Sequence, residues 1–217
     1  MQNLELENAA TNMQNLKLKD ASVFYNPKFL ETSVADNVFA EISKLFSMEH
    51  SRDVTDSNKK PLYTLNRKTR AFVDSDVNRS DVPRIWGSNI TVTEFPPILS
   101  KIKSDIQELL IYRFNICLVN YYDTGKNTIG WHSDNEEKGS ISCIASISLG
   151  AERKFEFKRT DNKEVCKEIV LHHGSLLVMG HGCQENYNHR LPEDINCKEP
   201  RLNLTFRLFD SDRYKNY

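Results

Sequence analysis

The chain has 217 residues, 39% of them apolar and 27% charged, enough to bury a full core within one large domain. Its formal net charge of -1 excludes a protein that coats nucleic acid by charge alone, so any basic site must be local. Five cysteines without Cys-x-x-Cys spacing suit neither a disulfide framework nor a zinc knuckle; with no apolar run near about 18 residues and no secretory signal, the expectation is a soluble, intracellular protein with no membrane span.

The near-duplicate MQNLEL and MQNLKL at 1–6 and 13–18 is too short for a repeat architecture, and residues 1–20 are expected to form a flexible tail. Ala35, Val38, Phe39, Ile42, Leu45 and Phe46 keep the i, i+3, i+4, i+7 spacing of an amphipathic helix, with Ser33 and Asp36 as its capping pair. Tyr63 to Asp74 mixes aromatic and basic side chains, among them Arg67, Lys68, Arg70 and Phe72, and reads as an exposed working segment. Behind Pro96-Pro97, a second helical stripe runs through Ile98, Leu99, Ile102, Ile106, Leu109 and Leu110; it starts where proline is tolerated best and is expected to buttress a sheet.

From Phe114 onward the apolar period changes to two, in runs over 115–122, 141–149, 154–158, 165–171, 175–179 and 202–209. Helices followed by short strands and turn residues predict an α+β order with a sandwich or jelly-roll core, not alternating βαβ units.

His132 and Asp134 are two residues apart, so on an extended strand both side chains leave the same face and can reach one ion. His189 follows four strand-like runs later, where a jelly roll can return the chain beside its earlier strand. Two imidazoles and a carboxylate on one side of an octahedral ion leave positions open for an oxidant and a cosubstrate, the arrangement of non-heme Fe(II) oxygenases. His-x-Asp alone is an ordinary dipeptide spacing; the combination with His189 gives it meaning. His50, His172, His173 and His181 read as structural.

In RLNLTFR, Arg201, Asn203, Thr205 and Arg207 share one strand face and Leu202, Leu204 and Phe206 the other. Two arginines facing an interior need an anion, and a planar guanidinium suits a carboxylate, so a dicarboxylate explains this face better than packing does.

Taken together, the chain closely resembles the AlkB family of dioxygenases. The resemblance rests on Asn120-Tyr121-Tyr122, IGWHSDNE over 129–136, IASISLGAERKFEF over 144–157, HGSLLVM over 173–179, His189 and RLNLTFR over 201–207. It implies a double-stranded β-helix core over 114–210, N-terminal helices and a nucleotide-recognition lid over 21–113, and a C-terminal tail over 211–217. It implies Fe(II) on His132, Asp134 and His189, and 2-oxoglutarate, consumed with O2, held by Asn120, Tyr122, Arg201, Asn203 and Arg207. Arg67-Lys68-Thr69-Arg70-Ala71-Phe72-Val73-Asp74 resembles the family's nucleotide-recognition segment, with Val73 where glycine is usual. Arg67, Lys68, Phe72, Trp86 and Glu136 are then the implied substrate contacts, Trp86 as the base-stacking aromatic and Glu136 as the reader of the base.

The implied activity is oxidative demethylation of 1-methyladenine and 3-methylcytosine in DNA by a monomer, in DNA repair. An RNA demethylase of the same family and a catalytically silent jelly-roll binding module remain the alternatives at this point.

Overall fold

A computed structural model describes residues 10, 12–51, 53–55, 61–82, 90–134, 143–162 and 164–210. In chain order the elements are β1 (Gln14–Asn15), β2 (Val23–Asn26), α1 (Thr32–Ser43) continued by a 3-10 turn at Lys44–Phe46, β3 (Asp53–Thr55), β4 (Pro61–Thr64), β5 (Lys68–Val73), β6 (Thr91–Glu94) and α2 (Pro97–Leu110). Then follow β7 (Ile116–Tyr122), β8 (Ile129–His132), β9 (Ile144–Gly150), β10 (Arg153–Arg159), β11 (Val165–Leu171), β12 (Ser175–Met179), α3 (Cys183–Asn186), β13 (Tyr187–Leu191) and β14 (Arg201–Arg207).

The strands form a large sheet in the order β1-β2-β12-β9-β14-β7-β5-β6, a smaller one in the order β11-β10-β13-β8, and a separate β3-β4 pair. Strand parity assigns each face of the large sheet its partner. Leu204 of β14 sits opposite Val119 of β7 and Ile147 of β9, and this row packs against Ala35, Val38 and Ile42 of α1 and Leu99, Ile102 and Ile106 of α2. The alternate row, Asn203 with Asn120 and Ser148, faces the other way. There Tyr122, Ile144, Leu177 and Met179 meet Phe155, Phe157, Tyr187 and Leu191 of the smaller sheet. Helices on one side and a second sheet on the other make this the α+β jelly roll that the sequence predicts. Each fully buried Leu, Ile or Phe contributes roughly 1.5–3 kcal/mol. No described helix is long and apolar enough to cross a membrane.

α2 begins at Pro97, as expected, and ends where Ile111 turns left-handed at φ 50°. α1 starts earlier than its apolar stripe, at Thr32, and its N-cap Glu31 makes no side-chain cap bond. The expected capping pair Ser33–Asp36 therefore lies inside the helix. Tertiary contacts hold that end instead: the Leu30 N–H donates to the Gly174 carbonyl at 2.9 Å, and the Asp36 carboxylate lies 3.2 Å from His173 Nε2.

The expected tail over 1–20 is corrected for its described part. Ala10, Met13, Leu16 and Leu18 are buried, β1 pairs with β2, and the Leu16 N–H donates to the Val23 carbonyl at 2.9 Å. The segment over 21–113 also contributes β2, β5 and β6 to the large sheet itself. Residues 211–217 lie outside the described residues.

Candidate metal centre and anion pocket

β8 and β13 are neighbours in the smaller sheet, and their register sets His132 directly opposite His189, ring centroids 4.3 Å apart. The strand ends at His132, so Asp134 stands on the bend beyond it and not, as the spacing predicts, on the same extended strand. Its carboxylate nonetheless turns to both rings: Oδ2 lies 3.4 Å from His189 Nε2 and Oδ1 3.8 Å from His132 Nε2. One ligand atom from each residue falls within 4.8 Å of the others, a span that one metal ion can fill.

The surrounding groups prepare these donors. His132 Nδ1 sits 2.8 Å from the Gly130 carbonyl, which suits a tautomer with the proton on Nδ1 and the Nε2 lone pair aimed at the centre. Burial, helped by the neighbouring His189, lowers the His132 pKa to about 4, so the imidazole is neutral at physiological pH. Burial alone would raise the pKa of Asp134. Arg207, whose Nη2 donates to Oδ1 at 3.0 Å, together with His189 and His132, holds it well below the usual carboxylate range.

The RLNLTFR strand places its polar row in the interior, as parity predicts. Arg201 is 2% exposed, donates from Nη2 to Ser148 Oγ at 2.9 Å, and lies 5.3 Å from the centroid of the Tyr122 ring, its register partner. Its Nε is buried without a hydrogen-bond partner among the described residues, and burial lowers its pKa to about 10, which still leaves it charged. A buried guanidinium with an unused donor and, among the described residues, no carboxylate partner fits an incoming acid. Asn203 donates to Ser146 Oγ at 2.7 Å, and Asn120 and Tyr122 stand opposite Asn203 and Arg201 on the neighbouring β7. Arg207 is tied to the metal-binding cluster through Asp134.

The substrate-side residues are placed less uniformly. Arg67 turns inward and donates from Nε to Asn120 Oδ1 at 2.7 Å. Lys68 pairs with Asp123 at 2.7 Å, and Arg70 with Glu49. Phe72 is corrected: it is 2% exposed within the core behind the large sheet, with the Phe95 ring 6.2 Å away, and no base can stack on it. Trp86 and Glu136 lie outside the described residues. His172 lies 2.9 Å from Glu152, and His173 accepts from the Gly150 N–H at 2.8 Å.

Two groups of site residues are absent from the expectations. Ser146 and Ser148 carried a signal, being small polar residues at alternate positions of an otherwise apolar strand. Gln184 carried none: its Oε1 accepts the Asp134 backbone N–H at 2.8 Å from a distant part of the sequence.

The sequence profile of the 2OG-Fe(II) oxygenase superfamily matches residues 22–207. The Bos taurus alpha-ketoglutarate-dependent dioxygenase alkB homolog 3 is 32% identical over 198 residues, covering 86% of this chain and 65% of that protein. Its Homo sapiens counterpart is 38% identical over 137 residues, 58% of this chain and 48% of that one. The Bos taurus DNA oxidative demethylase ALKBH2 is 36% identical over 131 residues, 55% of this chain and 47% of that protein. The matched part is thus less than two thirds of each relative's length. Among solved structures, OsALKBH1 superposes with a TM-score of 0.62 at 20% identity, covering 90% of this chain and 99% of that one. A Trichoplax adhaerens prolyl hydroxylase in complex with a hypoxia inducible factor peptide fragment gives 0.62 at 12% identity, covering 99% and 93%. At these identities the structural likeness is one of fold.

Proposed function

Because the chain belongs to the 2OG-Fe(II) oxygenase superfamily, and within it to the AlkB family, we propose that it is a dioxygenase that oxidatively removes methyl groups from nucleic-acid bases. The observation that carries this reading is a His-Asp-His cluster whose Asp134 is held by Arg207, on the same β14 face as a buried Arg201 with an unused donor. Neither a silent binding module nor a structural metal site gives a reason for the second arginine.

His132, Asp134 and His189 would hold the metal; a neutral His132 imidazole and an ionised Asp134 carboxylate are ready for a divalent cation at neutral pH without first losing protons. Arg201 would take one carboxylate of 2-oxoglutarate in charge-assisted bonds, with Asn120, Tyr122 and Asn203 setting its orientation. When bound, Fe(II) and 2-oxoglutarate supply oxidation of an N-methyl carbon by O2, with succinate, CO2 and formaldehyde leaving and the base restored.

For the substrate, we assign Arg67 to the mouth of the pocket, where its guanidinium already binds Asn120, and Trp86 and Glu136 to stacking on and reading the base. Lys68 would reach a phosphate only by leaving Asp123. The relatives named as DNA oxidative demethylases support DNA as the substrate class, and within it we propose 1-methyladenine and 3-methylcytosine as the bases acted on. The test is formaldehyde release from single-stranded DNA, duplex DNA and RNA carrying the same lesion, with Fe(II) and 2-oxoglutarate present. Release from DNA above RNA is expected; release from RNA alone moves the substrate class, and release from none refutes the demethylase reading.

A further inference from the structure

Asp134 is the one member of the metal-binding cluster that no strand holds. β8 ends two residues before it, and Asp134 itself stands on a bend. A carboxylate must keep its place to within about half an ångström to serve a metal, so something other than the sheet has to fix this backbone. Gln184 is placed to do so. It is 3% exposed, accepts the Asp134 N–H through Oε1 at 2.8 Å, and donates from Nε2 to Met179 Sδ at 3.7 Å, so both ends of its amide are engaged.

The turn that carries Gln184 is itself clamped. Gly182 stands at φ 77°, and a Cβ there would lie 2.0 Å from the Asp20 carbonyl oxygen, so only glycine lets the chain pass. Around it the Ser22 N–H donates to the His181 carbonyl at 2.9 Å, Asn186 Nδ2 to the Asp20 carbonyl at 3.1 Å, and the Tyr187 hydroxyl to the Lys19 carbonyl at 2.8 Å. The path runs from residues 19–22 through the α3 turn to Gln184, and from there to the Asp134 amide. On the far side of the same residue Arg207 holds the carboxylate. Backbone and side chain of Asp134 are thus fixed from two directions.

Resting on the proposed metal centre, we infer that Gln184 is a positioning residue for that centre: its amide oxygen sets the Asp134 backbone, and so the direction from which the carboxylate meets the metal. Groups that orient a metal ligand typically change metal affinity by 10–100-fold when removed. Gln184→Met keeps the length and volume of the side chain and removes the acceptor oxygen. Gln184→Glu keeps an acceptor oxygen in its place.

The experiment titrates Co(II), which is stable in air, into the full chain and both variants. It reads affinity by calorimetry and ligation by the visible absorption bands of the metal, with melting of the metal-free chains recorded alongside. The expected result is a metal-free Gln184→Met chain that melts close to the unsubstituted one, binds Co(II) 10–100-fold more weakly and shows altered bands, while Gln184→Glu regains the original bands. Unchanged affinity and bands in Gln184→Met would overturn the assignment, as would equal loss in both variants. A metal-free Gln184→Met chain that no longer folds would assign the residue to the core instead. Failure of the unsubstituted chain to bind Co(II) at all would remove the metal centre itself, and this inference with it.

Discussion

Asp134 shows how little a residue's spacing says about its surroundings. The metal residues were legible from the combination of His-x-Asp with His189, although Asp134 stands on a bend and not on the strand its spacing predicted, and the Arg201 to Arg207 row was legible because parity on a strand is strict. What fixes Asp134 was not legible, since Arg207 and Gln184 reach it from 73 and 50 residues away. At this scale Arg201→Lys keeps a charge but loses the fork. Losing one charge-assisted bond costs about 2 kcal/mol, so the KM for 2-oxoglutarate should rise about 30-fold with kcat little changed, measured by steady-state kinetics. The pH dependence follows from the same residue. Burial lowers the Arg201 pKa to about 10, and an acid binds the protonated form. Its affinity should therefore be flat from pH 7 to 9 and fall as pH rises through about 10; a fall beginning near neutrality would show that another group governs binding.

The elements were read best where one period ran cleanly. β11 and β12 match their predicted bounds, and α2 begins at its proline. β13 escaped notice because Tyr187, His189 and Leu191 alternate with polar residues over only five positions, too short a run to stand out. β5 misled in the opposite sense: its basic residues suggested exposure, yet Ala71, Phe72 and Val73 are buried, as a strand covered on both faces requires. Phe72→Ala should therefore lower stability by roughly 3–5 kcal/mol in denaturant titration and leave the KM for 2-oxoglutarate unchanged. A selective rise in KM for nucleic acid at unaltered stability would restore Phe72 to the substrate face. Leu16→Ala should cost roughly 2–4 kcal/mol in the same titration, because Leu16 fills the space between the sheets; a tail residue would cost nothing measurable.

For the whole molecule, the jelly roll could be anticipated from helices preceding short strands, and the division of labour between its two faces from strand parity. The integration of residues 10–26 into the sheet could not, since a two-residue strand leaves almost no periodic signal. This architecture holds the His-Asp-His cluster on the smaller sheet and the bend after it, and the residues proposed to bind the acid on the larger. Metal and 2-oxoglutarate together should then act as a clasp between the sheets. At one hundred times its dissociation constant a ligand stabilises by about 2.7 kcal/mol, so Co(II) with 2-oxoglutarate should raise the melting temperature, and a chelator should reverse the rise.

The most direct measurement is the yield of succinate against formaldehyde when the full chain is given Fe(II), 2-oxoglutarate, O2 and a methylated oligonucleotide. One succinate is expected for each formaldehyde, with both products lost in His189→Ala. Formaldehyde without succinate, or undiminished turnover in His189→Ala, would contradict the proposed function.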